Sequence, residues 1–140
     1  MRDQIEALQT LPASREVKHV VLTVGVNDTL NENFSAELRN FLDLCRQKGI
    51  RVLFVEEPGE GPIHENLAKR QTELADVARL QGVPHISLQN FLDERADDGF
   101  LWWDFVHLSD KGAELVAGAM FQPVHLWLQS KPGGDEKNRK

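Results

Sequence analysis

Apolar positions along this chain alternate between a helical period and short unbroken runs, and the alternation itself predicts the order of elements. Ile5, Leu8 and Leu11 are spaced for a short helix ending before Pro12 or soon after it. Lys18 to Val24 is a continuous β-branched and leucine run, the pattern of a strand buried on both faces. Phe34, Leu38, Phe41, Leu42 and Cys45 return to helical spacing, with Asn31, Asn33 or Ser35 placed to cap the start and Gly49 placed after the end. Ile50 to Val55 reads as a second buried strand, followed by the turn-rich stretch from Glu56 to Pro62. A third helix from about Glu65 to Gln81 buries Leu67, Leu74, Ala75, Ala78 and Val77, and Gly82 closes it. Val83 to Leu88 is a short third strand, and Phe91 and Leu92 mark one helical turn after it. Ser109 is placed to cap a final helix running to about Ala119, with Pro123 bending or restarting the chain.

Each strand is followed by a helix long enough to be a crossover, which demands parallel pairing. The fold class expected is therefore α/β, a three-layer sandwich around a short parallel sheet of the flavodoxin-like type. No internal repeat or linker interrupts residues 1–130, which read as one domain. Lys131 to Lys140 is polar and Gly-containing, and is expected to be a disordered tail.

Composition narrows the functional classes. The 140 residues are 41% apolar and 27% charged, ordinary for a globular chain with a real core. The formal net charge is −6, and the last ten residues hold four basic against two acidic side chains, so the body is more acidic still. A clustered basic face of the kind nucleic-acid backbones require is absent, so no nucleic-acid partner is expected. No apolar stretch approaches the roughly 20 residues of a membrane span. The start, Met1 to Glu6, lacks the apolar core of a signal peptide, which points to the cytoplasm for the chain as it stands. The one cysteine, Cys45, falls on the apolar face of a helix and is read as core packing.

Candidate chemistry lies in two places. Asp104 and His107 stand three residues apart just before the final helix, with Trp102 and Trp103 beside them to exclude water. A carboxylate on one imidazole nitrogen fixes the tautomer and supports the imidazolium that forms when the ring accepts a proton. The bland alternative is a helix N-terminus in which Asp104 or Asp110 serves the positive end of the dipole. Upstream, Gly25-Val26-Asn27-Asp28 follows the first strand. Gly25 and Asn27 taken alone are ordinary turn residues. Paired with a base they offer backbone geometry and an amide donor for a developing oxyanion. In parallel sheets functional groups gather beyond the carboxyl ends of the strands, so Asn27, the Pro58 to Pro62 loop and the Asp104–His107 segment should converge on one edge. His19, His64, His85 and His125 lack paired ligand spacing, and no metal or cofactor is expected. Gly59-x-Gly61 is too short for a phosphate cradle, and the charged run Asp93 to Asp98 reads as a solvated loop.

Together, Gly25-x-Asn27-Asp28 and Asp104-x-x-His107 followed by Leu108-Ser109 resemble the SGNH (GDSL-type) hydrolases, a family of serine esterases, lipases and acyltransferases. The resemblance covers roughly Val17 to Val116. It implies that Asn27 is an oxyanion-hole donor, that Asp104 and His107 complete a triad, and that Gly25 supplies backbone geometry. It implies a small-molecule ester substrate. The family's Gly-Asp-Ser nucleophile block has no counterpart here. Only about sixteen residues precede Val17, too few for a βαβ unit, so the N-terminal strands of the fold are expected to be missing. Ser14, Ser35, Ser87, Ser109 and Ser130 lack the strand–turn setting that exposes a nucleophile.

Two readings follow. One is an ester hydrolase or acyltransferase whose N-terminal third is missing or supplied by another chain, inactive alone. With such a segment, a secreted or periplasmic location becomes open. The other is a non-catalytic binding module on the same fold. In either case Val20 to Val24 becomes an apolar sheet edge, a template for self-association or for an N-terminal partner.

Overall fold

The computed structural model describes residues 1–11, 16–59 and 65–130. Its elements in order are α1 (Arg2–Gln9), β1 (His19–Val24), α2 (Phe34–Gln47), β2 (Arg51–Glu56), α3 (Glu65–Gln81), β3 (His85–Ile86), α4 (Gln89–Asp93) and α5 (Asp110–Gln129). One-turn 3₁₀ segments, Val26–Asp28 and Ala96–Asp98, follow β1 and α4. The tail from Lys131 and the Ser14 position lie outside the described residues.

The three strands form one parallel sheet in the order β1-β2-β3. β1 and β2 pair over their whole length, from His19 opposite Arg51 to Val24 opposite Glu56. β3 pairs over two residues only, Phe54 with His85 and Val55 with Ile86. The sequence run Val83 to Leu88 is thus mostly irregular. Pro84 has no N–H, and its carbonyl accepts from Phe54 at the strand entrance (2.9 Å).

Side chains on β2 alternate between two cores, as the strand period of two requires. Val52 and Phe54 join the larger one with Leu22 and Val24 of β1, Phe34, Leu38, Phe41, Leu42 and Cys45 of α2, and Leu74, Val77 and Ala78 of α3. Ile5 and Leu8 of α1 lie against the same cluster. Leu53 and Val55 face the other way, into Leu88, Trp127 and one side of α5. Three layers result, α1–α2–α3, sheet, and α5, as the alternation of elements predicts. Full burial of each large apolar side chain contributes on the order of 1.5–3 kcal/mol. Cys45 is fully buried and its thiol is pushed up to about 11 by burial, as expected of a packing cysteine.

Two expectations are corrected. β1 is not buried on both faces: Leu22 and Val24 are inside, but His19, Val21 and Thr23 are exposed, Val21 at 43%. The reason is coverage, since α5 lies over β2 and β3 and its core includes no β1 residue. The final helix also does not stop near Ala119. It runs unbroken through Pro123 to Gln129. Proline removes one helical hydrogen bond, but stopping there would forfeit Val124 and Trp127 from the second core. Arg51 secures the far end, donating to the Trp127 carbonyl (2.8 Å), the Ser130 carbonyl (2.8 Å) and Ser130 Oγ (2.7 Å). Among the described residues no helix is long and apolar enough to cross a membrane.

α5 starts as the sequence predicts. Ser109 Oγ accepts from the Gly112 N–H (3.1 Å), and its own hydroxyl donates to the Phe100 carbonyl. Gly112 packs so tightly that an added Cβ would land on the Leu101 carbonyl oxygen, whereas one at Gly118 of the same helix meets nothing. Gly112→Ala should therefore lower the unfolding free energy by about 1–3 kcal/mol through overpacking. Gly118→Ala should raise it by about 0.5–1 kcal/mol through helix propensity. Urea denaturation of the two variants checks both signs, and a neutral Gly112→Ala would refute the close approach.

Candidate active site

The turn after β1 begins at Gly25, whose φ of 149° and ψ of −68° belong to glycine alone. A side chain there would also press on Leu67 Cδ1 at 3.1 Å and Glu57 Cβ at 3.4 Å. From this kink the backbone folds into the 3₁₀ turn, closed by the Asp28 N–H donating to the Gly25 carbonyl (3.1 Å). Asn27 rides on the turn, exposed, and its side chain makes no hydrogen bond among the described residues. Asp28 points away, its carboxylate accepting from the Met1 ammonium at 3.0 Å.

His107 lies in the loop before α5. An antiparallel bridge between Trp102 and Leu108, with the Trp103 N–H donating to the His107 carbonyl (2.8 Å), folds this loop back on itself. Within it Asp104 Oδ1 accepts from the backbone N–H groups of Val106 (3.0 Å) and His107 (2.9 Å). Its carboxylate lies 2.8–2.9 Å from His107 Nδ1. The two backbone donors and the imidazole hold the Asp104 carboxyl down at about 2. It is therefore ionised, and an acceptor only, across the physiological range. An acceptor-only partner places the ring proton on Nδ1 and leaves Nε2 with its lone pair.

A cleft of about 540 Å³ brings these parts together. Asn27, His107, Thr23, Glu57 and Pro58 line it, with Val55 as floor and Val116 and Met120 of α5 as a wall. It is the space between α5 and the uncovered face of β1. Gly25 is not among the lining residues; it begins the turn that carries Asn27. The expectation that Trp102 and Trp103 shield the dyad is not met, since the His107 side chain is 74% exposed and that of Asp104 52%. Trp103 instead stands edge-on against Phe100 at 5.2 Å, and Trp102 borders a separate cavity with Leu92 and Asp93.

Thr23 bears the one hydroxyl among the residues that line the cleft, and no hydrogen bond joins it to His107. Ser87 Oγ donates to the Glu56 carboxylate at 3.0 Å, Ser109 caps α5, and Ser130 is held by Arg51. Ser87, Glu56 and His85 are neighbours, but no hydrogen bond links serine to histidine. His85 Nε2 lies 3.7 Å from Glu56 Oε2 and has no hydrogen-bond partner among the described residues, and burial pushes the ring's pKa down while Glu56 opposes the shift. No group of three or more His, Cys, Asp or Glu side chains with metal-binding geometry occurs among the described residues.

Two residues of the site were not legible as such in the sequence. Glu57 Oε2 accepts from the Val26 N–H at 2.7 Å, and buried Arg70 donates through Nε to the Asp28 carbonyl at 2.9 Å. Both act across more than 30 positions, and no local pattern announces them.

The profile of the GDSL-like lipase/acylhydrolase family matches residues 1–115. The chain belongs to that family. Solved structures agree on the fold. A lipolytic G-D-S-L family protein from Veillonella parvula is 20% identical, with a TM-score of 0.69 over 93% of this chain and 74% of its own. An acetyl xylan esterase variant from Geobacillus stearothermophilus is 16% identical, with a TM-score of 0.72 over 85% of this chain and 65% of its own. A GDSL-like lipase from Bacteroides thetaiotaomicron is 17% identical, with a TM-score of 0.66 over 88% and 69%. No curated protein matches the chain in sequence.

If Asp104 fixes the tautomer, Asp104→Asn should reverse it. The amide oxygen still serves the backbone donors, but the amide N–H₂ then faces Nδ1, and the ring proton moves to Nε2. Nitrogen-15 NMR of His107 at a pH where the ring is neutral should find the proton on Nδ1 in the parent and on Nε2 in the variant. A parent protonated at Nε2 would refute the assignment.

Proposed function

We propose that this chain supplies the base and oxyanion half of a carboxylic-ester hydrolase or acyltransferase site. His107 Nε2 takes the proton from an attacking hydroxyl and returns it to the leaving alcohol, while Asp104 supports the imidazolium. Asn27 donates its amide to the oxyanion, and Gly25 sets the turn that carries it. The observation that carries this reading is the single cleft lined by both His107 and Asn27, elements 80 residues apart in sequence.

The nucleophile comes from elsewhere in the working enzyme, and the chain alone is negligibly active. Two features support this. The cleft's own hydroxyl, Thr23, has no bond to the base. β1 pairs on one side only among the described residues, and its outward face is open beside that cleft. A strand and helix added along β1, from an N-terminal segment or a second molecule, would cover that face and place a serine against His107. On this reading residues 1–130 form a single domain. Substrates are small-molecule esters. The exposed dyad favours one competing reading, a binding module that keeps the cleft without catalysis.

A fluorophosphonate probe with mass-spectrometric site mapping tests the missing nucleophile. We expect no labelling that depends on His107. Labelling of any serine, or of Thr23, that disappears in His107→Ala would show a nucleophile within the chain. Co-expression with a serine-bearing strand–helix segment of the family should give esterase activity that His107→Ala abolishes, and its persistent absence would favour the binding module.

A further inference from the structure

Asn27 has an exposed carboxamide that makes no hydrogen bond among the described residues, so its aim depends on the turn beneath it. That turn is held at both ends by side chains from distant elements. At its end Arg70, buried and paired with Glu73 Oε2 at 2.7 Å, donates to the Asp28 carbonyl at 2.9 Å and the Thr29 carbonyl at 3.4 Å. At its start the Val26 N–H donates to Glu57 Oε2 at 2.7 Å.

Glu57 is itself fixed at the backbone. Its N–H donates to the Val24 carbonyl (3.2 Å), and its carbonyl accepts from Gln71 Nε2 (3.0 Å). Its carboxylate has no ion-pair partner among the described residues, although it is half-buried and lines the cleft. An unpaired carboxylate beside an oxyanion site costs free energy that a neutral side chain would not. What it provides in return is a short charge-assisted bond to the first N–H of the turn.

We propose that Glu57 is a positioning residue for Asn27: its carboxylate captures the Val26 N–H across the gap between β2 and β1 and so sets the direction of the Asn27 amide. The functional meaning rests on reading Asn27 as the oxyanion donor. The test does not, because it needs no turnover.

Glu57→Ala and Glu57→Gln in the full chain separate the bond from mere packing, because glutamine keeps an acceptor oxygen at the same reach. The readouts are backbone amide exchange at Val26 and the side-chain amide signals of Asn27, assigned by their loss in Asn27→Asp. In Glu57→Ala, Val26 should exchange at least tenfold faster, and the two Asn27 amide protons should move toward their values in a free peptide. Glu57→Gln should restore both, and Asn31, bonded at the other end of the turn, should stay protected in both variants. Unchanged Val26 exchange and Asn27 signals in Glu57→Ala would overturn the proposal, as would a Glu57→Gln that behaves like alanine. Should the alanine variant fail to fold, Glu57→Asp withdraws the acceptor by one carbon and is judged by the same two signals. Failure of ester hydrolysis with an added serine segment would leave these measurements intact, so the two readings fail separately.

Discussion

Everything at the site depends on β2 being buried on both faces. Its alternating Val52, Phe54 against Leu53, Val55 pattern commits one set of side chains to α2 and α3 and the other to α5. The strand is thereby fixed in register with β1 over six residue pairs. Because pairing is parallel, the Gly25 turn and the Glu57–Pro58 turn leave the sheet at the same end. α5 then delivers the loop before it to that end. A one-residue slip would turn Glu57 away from the Val26 N–H and Val55 away from the cleft floor together.

The cleft is a consequence of unequal coverage. Three helices fill the face where Leu22 and Val24 are buried. On the opposite face, among the described residues, α5 lies over β2 and β3 and leaves Val21 and Thr23 open. A cleft on such a margin has a rigid floor and one open side. The open side is why the Asp104–His107 dyad is so exposed, whereas a base in acyl transfer works best where water is excluded. The added strand and helix of the proposed complete enzyme would close that side.

What the sequence made legible was local. Asp104 and His107 sit three residues apart, so their bond needs only one folded loop, and Ser109 capping α5 is equally local. The strand–Gly–x–Asn pattern showed where Asn27 would stand because chain direction in a parallel sheet dictates it. Burial on the outer face of β1 was misread, since a β-branched run looks the same whether one or two layers cover it. Pro123 was misread because packing by Trp127 outweighs one lost helical bond. Glu57 and Arg70 were invisible as site residues. Each reads locally as a surface charge, and only the fold brings them to the turn.

The most direct test of the central claim, that Asn27 and His107 serve one cleft, is an NMR titration of the chain with a neutral soluble ester such as glyceryl triacetate. The side-chain amide of Asn27 and the Cε1–H of His107 would be followed together. The account predicts that both signals move and saturate at the same ester concentration. A shift at one without the other, or none at either up to the solubility limit, would contradict it.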